Sequence, residues 1–213
     1  MSGSGAPRGA TAPVFDPAER HLVETFVRGE QVFGGRMLDV RRDVVSLPDG
    51  REASREYVVH PGAAVVVPIL DDGRLLMERQ FRYPIGRVVL EFPAGKLDAG
   101  ELPLVCARRE LTEETGYTAR EWARAGITHN AMAYSTEIIE VWFARGLTPG
   151  ARDPEDGELI DTCTVSEAEL DAACGRGDVT DAKTLVGLLW LQRWRSGAWA
   201  LQWFAPADGE RRP

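Results

Sequence analysis

The sequence predicts an α/β protein in which a mixed β-sheet lies between helical layers, with a small N-terminal β appendage ahead of it. Three features of the 213-residue chain point there. Short β-type runs separated by Gly and Pro crowd its front. The segment 63–70 (AAVVVPIL) is a nearly continuous apolar run of strand length, the pattern of a strand covered on both faces. Behind it, segments with helical spacing alternate with further strand-type runs, so that helices have a sheet to cover.

Taken in order, residues 1–14 read as a disordered leader, too poor in large apolar side chains to offset the entropy of ordering. Residues 15–58 are the expected β appendage. Runs at 22–27, 32–40, 44–47 and 57–59 are broken there by Gly34-Gly35 and Pro48-Asp49-Gly50, both turn signals. The main domain is expected over 59–205, followed by a tail at 206–213. Its 63–70 strand stops at Asp71-Asp72-Gly73, and a partner strand resumes at 74–78. After a run at 88–92 the chain breaks at Pro93-Ala94-Gly95. A helix follows over 102–115, where Leu104, Ala107 and Leu111 form one apolar stripe and Gly116 supplies the stop. Strands are predicted again at 127–131, 138–144 and 159–165, with a polar, acidic loop at 148–157. Ser166 caps a short helix with Glu169 at the capping-box position, and a longer helix spans 181–195. Trp190, Trp194, Trp199 and Trp203 read as packing residues.

Apolar residues make up 44% of the chain and charged residues 27%, enough for one full core and an appendage rather than two large domains. The 25 Lys and Arg against 33 Asp and Glu give a net charge of -8, so the basic footprint of a duplex-binding protein is missing and no nucleic-acid partner is expected. An acidic chain also suits a phosphate-rich substrate poorly, unless its carboxylates hold metal ions that reverse the local sign. Cys106, Cys163 and Cys174 form no CxxC pair and no His/Cys cluster, which fits a cytoplasmic protein better than a disulfide framework or a structural zinc site. No apolar run has the length of a membrane span, and no membrane partner is expected.

Glu110, Glu113 and Glu114 stand at i, i+3 and i+4, on one face of the predicted helix, where like charges repel. Alone, such a pattern is usually a solvated helix face. Its surroundings are not ordinary. From Gly95 the chain reads GKLDAGELPLVCARRELTEETGY: five residues lead to Glu101, seven more to Arg109-Glu110-Leu111, one to Glu113-Glu114, and one to Gly116-Tyr117. This 23-residue stretch resembles the Nudix box, the signature of hydrolases that cleave a nucleoside diphosphate linked to another moiety. Every fixed Gly, Glu and Arg is in place. The departure is Tyr117, where the pattern prefers an aliphatic residue; that position packs, so the chemistry is unaffected. A looser resemblance runs from Val32 to about Leu188.

The resemblance implies the Nudix α/β/α sandwich and a Mg²⁺ cofactor, with Mn²⁺ as an alternative. Ala94 through its carbonyl, Glu110, Glu114 and Glu158 would be the ligands, a donor set that suits a hard cation. Glu113 would bind through water or assist proton transfer. Arg109 would pair with a box carboxylate and hold the loop on the helix, and Glu101 has the same structural status. The base for the attacking water comes from the late acidic loop, Asp153-Pro154-Glu155-Asp156-Gly157-Glu158, and alignment of Glu158-Leu159-Ile160 puts it at Asp156. The family's usual residue there is Glu, and Glu155 is adjacent.

Ser54-Arg55-Glu56-Tyr57, His60-Pro61-Gly62-Ala63, Glu78-Arg79-Gln80-Phe81-Arg82 and Leu90-Glu91-Phe92-Pro93-Ala94-Gly95-Lys96 look like the ADP-ribose pyrophosphatase branch. That likeness implies a homodimer with exchanged N-terminal strands. Arg82 would meet the pyrophosphate, Arg55 would reach it from a second subunit, and Glu91 would stand among the substrate-binding residues. Downstream, Met132 stands where the branch commonly has proline, although Ser135, Thr136 and Glu137 keep its Ser-x-Glu element. Glu137 would face the distal sugar. The expected function is hydrolysis of ADP-ribose or a related nucleoside diphosphate sugar to a nucleoside monophosphate and a sugar phosphate. The rival is a non-catalytic Nudix domain that senses ADP-ribose, a type in which the box is often eroded. His21, His60 and His129 show no partner at ligand spacing.

Overall fold

The computed structural model describes residues 16–154 and 157–206. The chain divides into two compact units, Met1–His60 with Ala131–Glu137 and Pro61–Asn130 with Ile138–Pro213.

In the first unit, Asp16 caps a 3-10 turn at Pro17–Leu22: its carboxylate accepts the Ala18 N–H at 2.9 Å, and Glu19 reaches back to the Asp16 N–H. Strands β1 (Thr25–Gly34), β2 (Asp39–Ser46) and β3 (Glu52–Val59) follow as an antiparallel meander. The first strand therefore begins later than the apolar run at 22–27 suggests, because the capped turn takes up Leu22. All of β1 is exposed, including Phe26, Val27, Val32 and Phe33.

The second unit holds a seven-stranded mixed sheet. Its elements are β4 (Ala63–Ile69), β5 (Leu75–Arg82), β6 (Arg87–Glu91), β7 (Ala94–Lys96), helix α1 (Pro103–Thr115), β8 (Tyr117–Thr128), β9 (Ile139–Pro149), β10 (Ile160–Val165), α2 (Glu167–Arg176) and α3 (Ala182–Arg195). Strand order is β10-β5-β4-β9-β8, with β4 and β9 parallel. Alternation along β4 explains its unbroken apolar run. Ala63, Val65, Val67 and Ile69 pack with Leu170 of α2 and Leu188 and Leu191 of α3, while Ala64 and Val66 pack with Cys106, Ala107 and Leu111 of α1. Each such Val or Leu contributes about 1.5–3 kcal/mol by leaving water. The layers are helix, sheet, helix, as expected. Trp190 and Trp194 pack on the same core and meet Trp199 and Trp203 at ring distances of 4.4 and 5.4 Å.

One departure from a simple meander shapes the site. β4 and β5 pair only at Ile69 and Leu75, beside the Gly73 turn, and then part. β6 takes up β5 from Glu78 onward, and β7 takes up β4 at Ala63–Val65. Into this wedge the chain brings residues 91–96. A second departure is β8, expected at 127–131 and found from Tyr117. It is an edge strand with charges facing water and only Trp122 and Ala123 fully buried, so its apolar signal is weak over most of its length. Among the described residues, no helix is long and apolar enough to cross a membrane.

Candidate active site

Helix α1 carries the glutamates. It opens with Pro103 in its first turn and closes at Gly116, whose φ of 77° is left-handed; a Cβ there would also sit 2.8 Å from the Gly150 carbonyl. Ala107 and Leu111 anchor the helix on the sheet, with Leu104 partly buried beside them. The same anchored side carries Glu110 and Glu114, which are buried, whereas Glu113 stands at the rim. The three carboxylates are thus not one solvated face: helix docking has drawn two of them out of water.

Arg109 binds the box together. Its guanidinium meets Glu101 at 2.9 and 3.0 Å, Glu110 at 2.7 Å, Glu113 at 2.9 Å and the Lys96 carbonyl at 3.0 Å. It holds loop to helix, as its place in the box implies. Gly95 is required by proximity, since a Cβ there would fall 1.8 Å from a Glu110 carboxylate oxygen. The neighbouring Ala94 donates its N–H to Glu114 at 3.0 Å. Burial pushes the Glu110 carboxyl up to about 7 despite Arg109. Burial also raises Glu114, helped by the charges of Glu78, Glu110 and Glu158. Glu158 therefore stands within electrostatic reach of both box carboxylates, and the Asp153 N–H bonds the Glu113 carbonyl at 3.1 Å, tying the start of the acidic loop to α1. Asp156 and Glu155 lie outside the described residues.

Across the wedge, Arg82 donates Nε to Glu91 at 2.7 Å, and Lys183 in the first turn of α3 donates to Glu91 at 3.1 Å and to Asp181 at 2.7 Å. Glu91 is 1% exposed. Directly opposite it in the β5–β6 ladder is Glu78, fully buried, with neither oxygen meeting a hydrogen-bond donor. Burial, then the charge of Glu91, raises the Glu78 carboxyl well above its usual range. Sequence reasoning assigned no role to Glu78 or Lys183. A signal existed for each. Glu78 and Arg82 share one face of β5 by strand alternation, and a lysine in the first turn of a helix opposes the helix dipole unless carboxylates hold it there.

Two expected site residues belong to the first unit. Arg55 is bonded to Glu24 of its own chain, at 2.9 Å through Nε, and to the Ser54 carbonyl at 2.8 Å. Glu137 donates its backbone N–H to the Ser135 hydroxyl oxygen at 3.1 Å, and its carboxylate lies 3.6 Å from His60 Nε2, a partner that linear spacing does not reveal.

Among the described residues, no three His, Cys, Asp or Glu side chains converge as a ready-made ion site; Arg109 draws Glu110 and Glu113 toward itself instead. The donor chemistry nonetheless fits a cation. Glu78, Glu91, Glu101, Glu110, Glu113, Glu114 and Glu158 share this region with three cationic side chains, Arg82, Arg109 and Lys183, and the two oxygens of Glu78 lack a donor.

Fold and site together define a three-layer α/β domain whose helix folds a Nudix box against a glycine turn. The NUDIX domain profile matches residues 59–185, and the chain belongs to the Nudix hydrolase family. It is 35% identical over 175 residues to the ADP-ribose pyrophosphatase of Bacillus subtilis (strain 168), covering 81% of this chain and 95% of that protein. It is also 35% identical to the methanol dehydrogenase activator of Bacillus methanolicus, over 79% of this chain and 92% of that protein. Among solved structures, an ADP compounds hydrolase superimposes with a TM-score of 0.74 at 24% identity, over 82% of this chain and 95% of the other, which establishes the shared fold.

Proposed function

We propose that the protein is a Mg²⁺-dependent pyrophosphatase that splits ADP-ribose or a related nucleoside diphosphate sugar into a nucleoside monophosphate and a sugar phosphate. The observation that carries this reading is the intact box with Glu110 and Glu114 buried against Gly95 and Ala94. An ADP-ribose pyrophosphatase aligned over nearly its whole length supports the substrate class. The departure at Met132 keeps other nucleoside diphosphate sugars in view.

Ala94 through its carbonyl, Glu110, Glu114 and Glu158 would hold Mg²⁺ or Mn²⁺. When bound, such an ion acidifies a water and neutralises phosphate oxygens. The remaining work falls to the chain. Glu91 engages Arg82 at Nε and so turns the terminal nitrogens of that half-exposed guanidinium toward an anion. Glu113, held by Arg109, acts through water or assists proton transfer. Asp156 takes the proton of the attacking water. Arg55 reaches the pyrophosphate from a second subunit and Glu137 faces the distal sugar; the wholly exposed and partly apolar β1 favours a homodimer. For Arg55 this requires giving up Glu24. A cytoplasmic setting fits the three free cysteines.

The deciding assay incubates the protein with Mg²⁺ and, separately, ADP-ribose, GDP-mannose, UDP-glucose, NADH and a dinucleoside polyphosphate, and follows nucleoside monophosphate release. Turnover of ADP-ribose or a nucleoside diphosphate sugar is expected. Saturable binding of ADP-ribose by calorimetry with no turnover of any compound would favour the sensing role instead.

A further inference from the structure

Glu78 is a fully buried carboxylate with no role in the reading above. Leu75, Leu76 and Met77 precede it on β5, all buried, and an apolar residue at 78 would simply extend the strand's packing. The chain places a carboxylate there instead, at the point where β6 replaces β4 as the neighbour of β5. The cations close by are committed elsewhere, since Arg82 and Lys183 both bond Glu91 across the ladder. On its other side stands Glu114, which already accepts the Ala94 N–H, while both oxygens of Glu78 are left without a donor. Two carboxylates facing one another away from water, with no donor for one of them, is an arrangement that burial penalises heavily and that a divalent cation between them relieves.

We propose that Glu78 is a further carboxylate donor to the divalent-cation site, meeting the ion from the sheet side while Glu110 and Glu114 meet it from α1. This rests on the cation-dependent reading of the box. A hard ion such as Mg²⁺ or Mn²⁺ accepts the additional oxygen. A donor fixed on a core strand moves less than one on a loop, and Arg82 lies four positions along the same face of β5. The strand would thereby set the spacing between the ion and the guanidinium that together receive the diphosphate.

The test is Mn²⁺ binding to the substrate-free protein, followed at constant pH by the electron paramagnetic resonance signal of free Mn²⁺. Wild type, Glu78→Gln, Glu78→Asp and Glu114→Gln are compared, with thermal melts in chelator confirming that each variant folds. Glu78→Gln is expected to weaken Mn²⁺ binding about tenfold or more. Glu78→Asp, which keeps the charge but withdraws it by one methylene, should weaken it less. Wild-type affinity in both Glu78 variants while Glu114→Gln loses binding overturns the proposal and leaves the box reading intact. Failure of the wild type to bind Mn²⁺ at all overturns both. If Glu78→Gln does not fold, Glu78→Asp decides alone, and wild-type affinity there overturns the proposal.

Discussion

At the scale of single residues, Glu110 and Glu114 are separated from Glu113 by burial rather than by chemistry. All three are glutamates on one helix, yet two lie against the sheet and the third stands at the rim with Arg109. Glu114→Gln removes a charge from the buried pair and should lower kcat/KM by about 100-fold or more at saturating Mg²⁺, read as nucleoside monophosphate release. Near-normal kcat would remove Glu114 from the ligand set. For the base, Asp156→Asn should cost far more activity than Glu155→Gln; the opposite ranking moves the role to Glu155. The box residues were legible in the sequence because their spacing along one helix fixes their mutual placement. Glu78 was not, because its significance depends on Glu91, a residue brought opposite only by strand register.

At the scale of elements, the site is held by three attachments. Arg109 ties the β7 loop to α1, the Asp153 N–H ties the acidic loop to the same helix, and Lys183 ties α3 to β6. The last of these is a buried charge cluster, with the Lys183 side chain only 15% exposed between Asp181 and Glu91. Lys183→Met would leave Glu91 with Arg82 and Asp181 with the Thr184 N–H and hydroxyl, and neither with its ammonium partner. A loss of about 3 kcal/mol is expected in urea unfolding, with partial recovery in Lys183→Arg. A loss below about 1 kcal/mol would mean that the pair adds nothing net beyond that of an exposed salt bridge. Helix boundaries were predicted closely because Pro103 and Gly116 mark them. β8 was not, since an edge strand with alternating charges resembles a loop in composition.

At the scale of the whole molecule, the excess of carboxylates links stability to pH and metal. In the metal-free protein burial raises Glu110 to about 7, and raises Glu78 and Glu114 as well, from an ordinary value near 4.5. Between about pH 5 and 7 the folded chain thus holds protons that the unfolded chain has released, so stability falls as pH rises through that window. The melting temperature in chelator should therefore drop from pH 5 to 8. The increment added by Mg²⁺ should grow over the same range, because the ion replaces those protons. A melting temperature that climbs with pH in chelator contradicts the account. The homodimer proposed above is tested by light scattering: if it forms, Phe33→Asp on exposed β1 should shift the mass from dimer toward monomer, and a wild type already at monomer mass removes the role proposed for Arg55.

The sequence by itself determined the fold class, the central strands and the identity of the box, because each depends on local spacing: two-residue alternation, helical periodicity, and glycines where the backbone turns or is closely approached. Only the tertiary structure decided which carboxylates leave water and which cations meet them. It parted β4 from β5, set Glu78 against Glu91, and spent Arg82 and Lys183 on the latter. Burial sets the local dielectric, and burial is a property of the assembled layers rather than of any one segment.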